Sequence, residues 1–339
     1  MKHKWKNYIK VKLSSIIIFS LVALAAVALL ITNIFIPVKY LTAYLVSRAN
    51  RTKGELRVTF LSVGYGDCTV IELPDGKIML IDAGDGSYAN TLRILKYLNS
   101  RSIDTIDYLV CSSVRSEHAS GLAEIVKYKK ISKAYIPYVL NTRITAAYHD
   151  FVTQLKSEKC ATQIISYAIG EYSEEYGYFF AFLSPTDPSS SVSAYAALNS
   201  EATDKNINDA SAVLWLQYGE TAFAFTSDAG KDELKYIVDS YDISVDVGNA
   251  FCRIGGYSVE LEECDVVTVA GHGNENCTYA RWYERLTPEQ AIISVGKNYS
   301  GCPSVKALTD VCSAVEQPLY TNEKENIIIK ATRDGYTVI

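Results

Sequence analysis

The sequence predicts an α/β domain of two similar halves, with two sheets packed face to face between outer helix layers, behind a single transmembrane helix. Three observations carry this expectation. One pair of strand-like segments ends in Asp82-Ala83-Gly84 before a helical stretch, and a second pair ends in Asp228-Ala229-Gly230 before another. Strand-like and helix-like segments alternate from residue 55 onward, the order of a layered α/β fold. Residues 16–36 form an apolar run broken only by Ser20, Thr32 and Asn33.

That run is free of charge and, at about 1.5 Å per residue in a helix, matches a bilayer core. The chain therefore divides into a basic cytoplasmic tail (1–15), a transmembrane anchor (16–36), a juxtamembrane linker (37–54) and one large domain (55–339). Five lysines precede the run, and the positive-inside rule puts the N-terminus in the cytoplasm and the domain outside. The expected location is the cell membrane, in single-pass form. A cleaved signal peptide is the alternative, although the apolar run is long for one.

Within the domain, Leu56–Ser62 reads as a strand. Cys68–Leu73 and Lys77–Ile81 form a hairpin around Pro74-Asp75-Gly76, a good turn sequence. Helical spacing marks Tyr88–Leu98, Gly121–Tyr128 and Ala146–Ser157. Strands are expected at Asp107–Cys111, Lys133–Pro137, Gln163–Tyr167 and Tyr178–Ser184. Pro185–Asn208 is rich in Ser, Asp, Asn and Pro and reads as a long loop. A second hairpin, Ser211–Gln217 with Thr221–Thr226, leads to a helix at Asp232–Tyr241. Strands at Cys264–Ala270 and Glu289–Val295, a helix at Ser304–Val315 and strands at Asn326–Lys330 and Tyr336–Ile339 complete the chain. Packed face to face, two such halves place both Asp-Ala-Gly turns near one cleft.

Charge and cysteine usage narrow the function classes. Nine of the 33 Lys/Arg lie in residues 1–53, which hold no Asp or Glu; the other 24 face 38 acidic residues, a formal −14. An acidic body repels phosphate backbones, so extended nucleic-acid binding is not expected. The eight cysteines form no CxxC or CxxH pair and indicate no structural zinc knuckle. Ser112 and Ser113 lack the elbow motif of a serine hydrolase. His149 lies in a helix pattern that points to exposure, and Gly64-x-Gly66 is too short for a nucleotide fingerprint.

The order of the remaining motifs resembles a known family. Val58 to Asp67 (Val-Thr-Phe-Leu-Ser-Val-Gly-Tyr-Gly-Asp) is similar to VxFLDVGQGD, and Leu80-Ile81-Asp82-Ala83-Gly84 to LIDAG. The stretch from Asp107 through Ser112, His118 and Gly121-Leu122 is similar to THPxxDHxGGL. Ser227-Asp228-Ala229 resembles GDA, Val269 to Asn274 resembles xxHHGS, and Ala291 to Ser304 resembles AIISVGxxN…GHPS. Together they resemble the metallo-β-lactamase superfamily, in particular the extracellular hydrolase domain of ComEC-type competence proteins, over residues 55–339. The resemblance implies a four-layer αββα sandwich and a cleft that binds metal.

The ligands that the resemblance implies are incomplete. Ser113 and Arg115 stand where the loop offers two ligands, and Gly271 stands at the first of two histidines. A hydroxyl is a poor zinc ligand, and a guanidinium has no lone pair to give. Glu117 replaces an aspartate, Cys302 replaces a late histidine, and His118, Asp228 and His272 are retained. One site could survive as Glu117, His118, Asp228 and His272, with Asp228 and His118 as the catalytic groups if the protein is active. Asp67, Asp82 and Cys302 would line the cleft. Arg115 could instead neutralise Asp228 or Glu117 where an ion would otherwise sit. The expectation is a cleft without metal, any ion it holds being a single zinc or manganese. The leading reading is a non-catalytic binding or scaffold module with an unidentified protein or small-molecule partner. The alternative is a mononuclear hydrolase of the phosphodiesterase or nuclease kind, related to DNA uptake.

Overall fold

The computed structural model describes residues 18–24, 27, 53–137, 145–185, 204–298 and 300–339. Most of the expected tail, anchor and linker lies outside them. Residues 18–24 are helical, with Ile18, Phe19, Leu21, Val22 and Leu24 exposed. Among the described residues no helix is long and apolar enough to cross a membrane. Of the two units of the chain, the second comprises residues 52–94 with 104–339. All the candidate site residues belong to the second.

The first half of the chain opens with strands β1 (Leu56–Leu61), β2 (Thr69–Glu72) and β3 (Ile78–Ile81) and helix α1 (Tyr88–Ser100). Strand β4 (Thr105–Val110) leads into the short helices α2 (Ser116–Ala119) and α3 (Leu122–Tyr128), then β5 (Lys130–Ile136), α4 (Ala146–Ser157) and β6 (Ala161–Ile164). The second half contains β7 (Gly170–Ser173), β8 (Tyr178–Ser184), α5 (Asp204–Asp209), β9 (Val213–Tyr218), β10 (Thr221–Phe225) and α6 (Lys231–Asp246). It continues through β11 (Arg253–Ile254), β12 (Tyr257–Ser258), β13 (Val266–Thr268), α7 (Ala280–Leu286), β14 (Gln290–Ile293), α8 (Val305–Cys312) and β15 (Leu319–Tyr320). Strands β16 (Asn326–Thr332) and β17 (Gly335–Val338) return to the first sheet.

The two main sheets repeat one plan. In the first, with order β17-β16-β1-β2-β3-β4-β5-β6, the hairpin β2–β3 is antiparallel and β4, β5 and β6 then run parallel to β3. In the second, with order β15-β14-β13-β10-β9-β8-β7, the hairpin β9–β10 is antiparallel and β13, β14 and β15 run parallel to β10. The expected duplication is thus present in the topology. The sheets share one apolar layer: Val58, Phe60, Ile71, Met79 and Val110 from the first meet Phe180, Leu214, Leu216, Phe223 and Phe225 from the second. The other face of the second sheet (Ala181, Trp215, Ala224, Val267) packs on α6, α7 and α8 through Leu234, Ile237, Trp282, Leu286 and Val311. Each fully buried large side chain contributes about 1.5–3 kcal/mol.

Three expectations need correction. The strand placed at Gln163–Tyr167 lies earlier, at Ala161–Ile164, and β7 was not expected at all. Both are edge strands with a neighbour on one side only, so neither needs strong alternation. The loop expected at Pro185–Asn208 falls, for residues 186–203, outside the described residues, and its end is helical in α5. The strand expected at Cys264–Ala270 is shorter, giving way to a 3-10 turn at Ala270–Gly273.

The parallel strands position the cleft. Strands β3 and β4 end at Ile81 and Val110, so Asp82 and the loop to His118 emerge together. Strands β10, β13 and β14 end at Phe225, Thr268 and Ile293, so Asp228, His272 and Ser294 emerge together. Loops at the carboxyl ends of parallel strands are where α/β sheets present reactive groups.

Candidate metal centre

His118 stands between the two Asp-Ala-Gly turns. Its Nδ1 lies 2.9 Å from Asp82 Oδ2, and its Nε2 lies 3.2 Å from Asp228 Oδ1. The ring is fully buried. Asp82 is held by three further features: its backbone N–H donates to Val110 O, and its carboxylate accepts from Ser112 N at 2.8 Å and from the Ser112 hydroxyl. Ser112 Oγ also lies 2.6 Å from Ser227 Oγ, tying the first turn to the second. Ser112 is therefore committed to structure, in keeping with the missing nucleophile elbow. Asp82 (φ 58°) and Ser227 (φ 47°) both adopt left-handed backbone, a strain that persists only where the surroundings fix it.

His272 comes from the other side. It sits in left-handed backbone (φ 57°) within the 3-10 turn, and its Nδ1–H donates to Ser294 O at 2.9 Å. That bond orients the ring so that Nε2 lies 3.7 Å from Asp228 Oδ1. The rings of His118 and His272 stack with centroids 5.4 Å apart, and Tyr65 covers His272 at 4.4 Å.

Three atoms then converge. His118 Nε2, Asp228 Oδ1 and His272 Nε2 are buried and lack any hydrogen-bond partner among the described residues. These three side chains offer ligand atoms that all lie within 4.8 Å of one another. The 3.2 Å approach of His118 to Asp228 is an ion-pair contact without hydrogen-bond alignment. A buried, unpaired polar atom costs about 1–3 kcal/mol. Three at one point form a donor set of two imidazole nitrogens and a carboxylate oxygen, which fits one zinc or manganese ion.

The other predicted residues are distributed as follows. Asp67 lies by the Nδ1 atoms instead, 3.7 Å from that of His118 and 3.9 Å from that of His272, and forms a second group of close ligand atoms with Asp82 and His118. Glu117 joins neither group of convergent ligands; its carboxylate accepts from Ser116 Oγ instead. Ser113 is buried, its Oγ accepting from Arg115 N at 3.4 Å. Arg115 Nε lies 3.4 Å from Asp228 Oδ2 and donates to Asn208 Oδ1 at 2.9 Å. At Gly271 (φ 58°) an added Cβ would come within 2.6 Å of Cys277 Sγ, so the backbone there has no room for a side chain. Cys302 is buried beside the Tyr65 hydroxyl, which points to its sulfur at 4.0 Å. Asn208 and Cys277 carry no motif that would have revealed them: their contacts span 93 and 69 residues.

The electrostatics follow from this geometry. Burial opposes ionisation of Asp228, but His118, then His272 and Arg115, hold its carboxyl well below the usual range. Burial alone would lower the His118 imidazole; Asp228 and Asp82 outweigh it and raise it well above the ordinary value. Burial pushes the Cys302 thiol and the Tyr65 phenol up, so both are neutral at physiological pH.

With fold and site described, the chain resembles the metallo-β-lactamase superfamily in sheet plan and motif order. No family model matches it. It is similar to ComE operon protein 3 of Bacillus subtilis (strain 168), 23% identical over 266 residues, or 72% of this chain and 29% of that protein. The chain thus spans less than a third of the length of that relative. Similar solved structures include Tm1679, a metal-dependent hydrolase of the β-lactamase superfamily, with a TM-score of 0.43 and 11% identity, covering 81% of this chain and 98% of that one. Unliganded yeast PDE1 has a TM-score of 0.46 and 8% identity, covering 82% and 99%.

Proposed function

We propose that this chain is a membrane-anchored, ComEC-like protein whose extracytoplasmic cleft holds one zinc or manganese ion and hydrolyses a phosphodiester. The supporting observation is the convergence of three buried, unpaired ligand atoms on His118, Asp228 and His272. Asp82 and Ser294 O engage the Nδ1 atoms, so both rings turn Nε2 inward. An ion held there supplies Lewis acidity and lowers the pKa of water. Asp67, more open to solvent than the other carboxylates of the cleft, is the group available to take a proton at the rim. The anchor is residues 16–36, with the N-terminus in the cytoplasm. The relation to competence comes from the named relative, and the formal −14 of residues 54–339 disfavours a long nucleic-acid footprint.

A second reading is a non-catalytic binding or scaffold module acting on a protein or small ligand. It is favoured by the Arg115–Asp228 contact and by the raised His118, which provide positive charge without an ion. Metal analysis of the purified full-length chain after dialysis against micromolar zinc or manganese separates the two. The hydrolase reading expects stoichiometric metal, lost in His118→Ala, together with metal-dependent cleavage of bis(p-nitrophenyl) phosphate. A chain that takes up neither ion leaves the scaffold.

A further inference from the structure

Arg115 precedes helix α2 in extended backbone (φ −70°, ψ 152°) and turns its guanidinium toward Asp228. The carboxylate of Asp228 is thereby divided. Oδ2 faces Arg115 at 3.4 Å, while Oδ1 faces the two histidine Nε2 atoms. The Arg115 Nε that makes this contact is held by a second partner. It donates to Asn208 Oδ1, and Asn208 Nδ2 donates to Cys277 Sγ at 3.1 Å. Cys277 in turn fills the space that a side chain at position 271 would need. A continuous chain, Cys277–Asn208–Arg115, therefore occupies one side of the cleft and ends on Asp228 Oδ2.

Formal charge points the same way. Asp67, Asp82 and Asp228 bring three negative charges within reach of the two rings, and Arg115 brings one positive charge. With both imidazoles acting as neutral ligands, the balance is that of a single divalent cation. A second cation at Oδ2 would meet a guanidinium, which repels it and offers no lone pair.

We propose that Arg115 substitutes for the charge of a second ion: it neutralises Asp228 Oδ2, turns Oδ1 toward the histidines and limits the centre to one divalent cation. The one-ion limit rests on the metal-centre reading above; the pairing of Arg115 with Asp228 does not. Arg115 is thus a positioning residue, acting through Asp228.

Two measurements on the purified full-length chain test this. After equilibrium dialysis against zinc, the wild type carries about one ion per chain, and Ser113→His/Arg115→His, with lone pairs in place of the hydroxyl and guanidinium, carries about two. In metal-free protein, Arg115→Gln lowers the melting temperature by several degrees, Asp228→Asn costs less in that background than in the wild type, and Arg115→Lys retains part of the coupling. Zinc raises the melting temperature of Arg115→Gln by more than that of the wild type. Two zinc ions in the wild type, or one in a folded double-histidine variant, overturn the proposal while leaving the metal centre standing. Additive effects of Arg115→Gln and Asp228→Asn overturn it whatever the metal content. No zinc in the wild type, with the coupling intact, overturns the metal-centre reading and with it the one-ion limit.

Discussion

The two Asp-Ala-Gly turns have the same sequence and comparable places in their half-sheets, yet their carboxylates are used differently. Asp82 is saturated: it accepts from Ser112 N, Ser112 Oγ and His118 Nδ1 and is fully buried. Asp228 is divided, one oxygen toward Arg115 and the other without a hydrogen bond. A saturated buried carboxylate is a structural anchor. One left with an unpaired oxygen beside two imidazoles can bind a ligand. The repeated plan presents the same turn twice, and the neighbours set its use.

The sharpest way to break this comparison is to truncate both turns. Asp82→Ala strands the Ser112 N–H and His118 Nδ1 in a dry interior and is expected to cost about 3–5 kcal/mol. Asp228→Ala removes one oxygen with no hydrogen bond to lose and the Oδ2 that faces Arg115, and is expected to cost about 1–3 kcal/mol in the metal-free chain, less than Asp82→Ala, while ending metal uptake. Urea unfolding and zinc dialysis measure both, and equal costs would erase the distinction. An intermediate effect is expected at Gly271, where left-handed backbone and Cys277 combine. Gly271→Ala should cost about 1–3 kcal/mol, and Cys277→Gly in the same chain should recover part of it. A Gly271→Ala chain as stable as the wild type would show that packing does not forbid a side chain there.

The smallest expected effect is a control remote from both turns. Burial raises the Asp75 carboxyl, but the Lys77 N–H, the Tyr178 hydroxyl at 2.7 Å and the Lys77 ammonium override it and hold the group below its ordinary value. A lowered carboxyl adds stability above the unfolded value of about 3.9 and loses it as pH falls through the folded one. Asp75→Asn should therefore flatten the acid limb of a stability–pH curve by less than about 1 kcal/mol, because the group is partly screened by solvent. It should leave metal uptake unchanged.

Much of this was legible in the sequence where local rules act alone. The Pro74-Asp75-Gly76 turn between two strand-like runs located the first hairpin, and helical spacing located α4 at its observed ends. His118, Asp228 and His272, which the fold brings together, each sit in a motif beside a strand end and so drew notice in the sequence. Short elements such as β11, β12 and α7 escaped because a few residues carry too little periodicity. Glu117 stands apart from the three convergent residues for a geometric reason: in a helical turn, adjacent residues point in different directions. With His118 facing inward, Glu117 faces Ser116 and solvent. Asn208 was unreadable, since its role depends on contacts with two residues distant in the chain and adjacent only after folding.

The position of His118 has a consequence for folding. One ring nitrogen meets a carboxylate of the first half and the other meets a carboxylate of the second, so the ring acts as a rivet through the two halves, beside their apolar layer and the Ser112–Ser227 contact. A cation joining His118, Asp228 and His272 would tighten that rivet. Its binding free energy would then be felt by both halves at once, and unfolding would become more cooperative as occupancy rises. The hairpins β2–β3 and β9–β10, far apart in sequence, would exchange their amide hydrogens as one unit in the loaded protein and more independently in the free one.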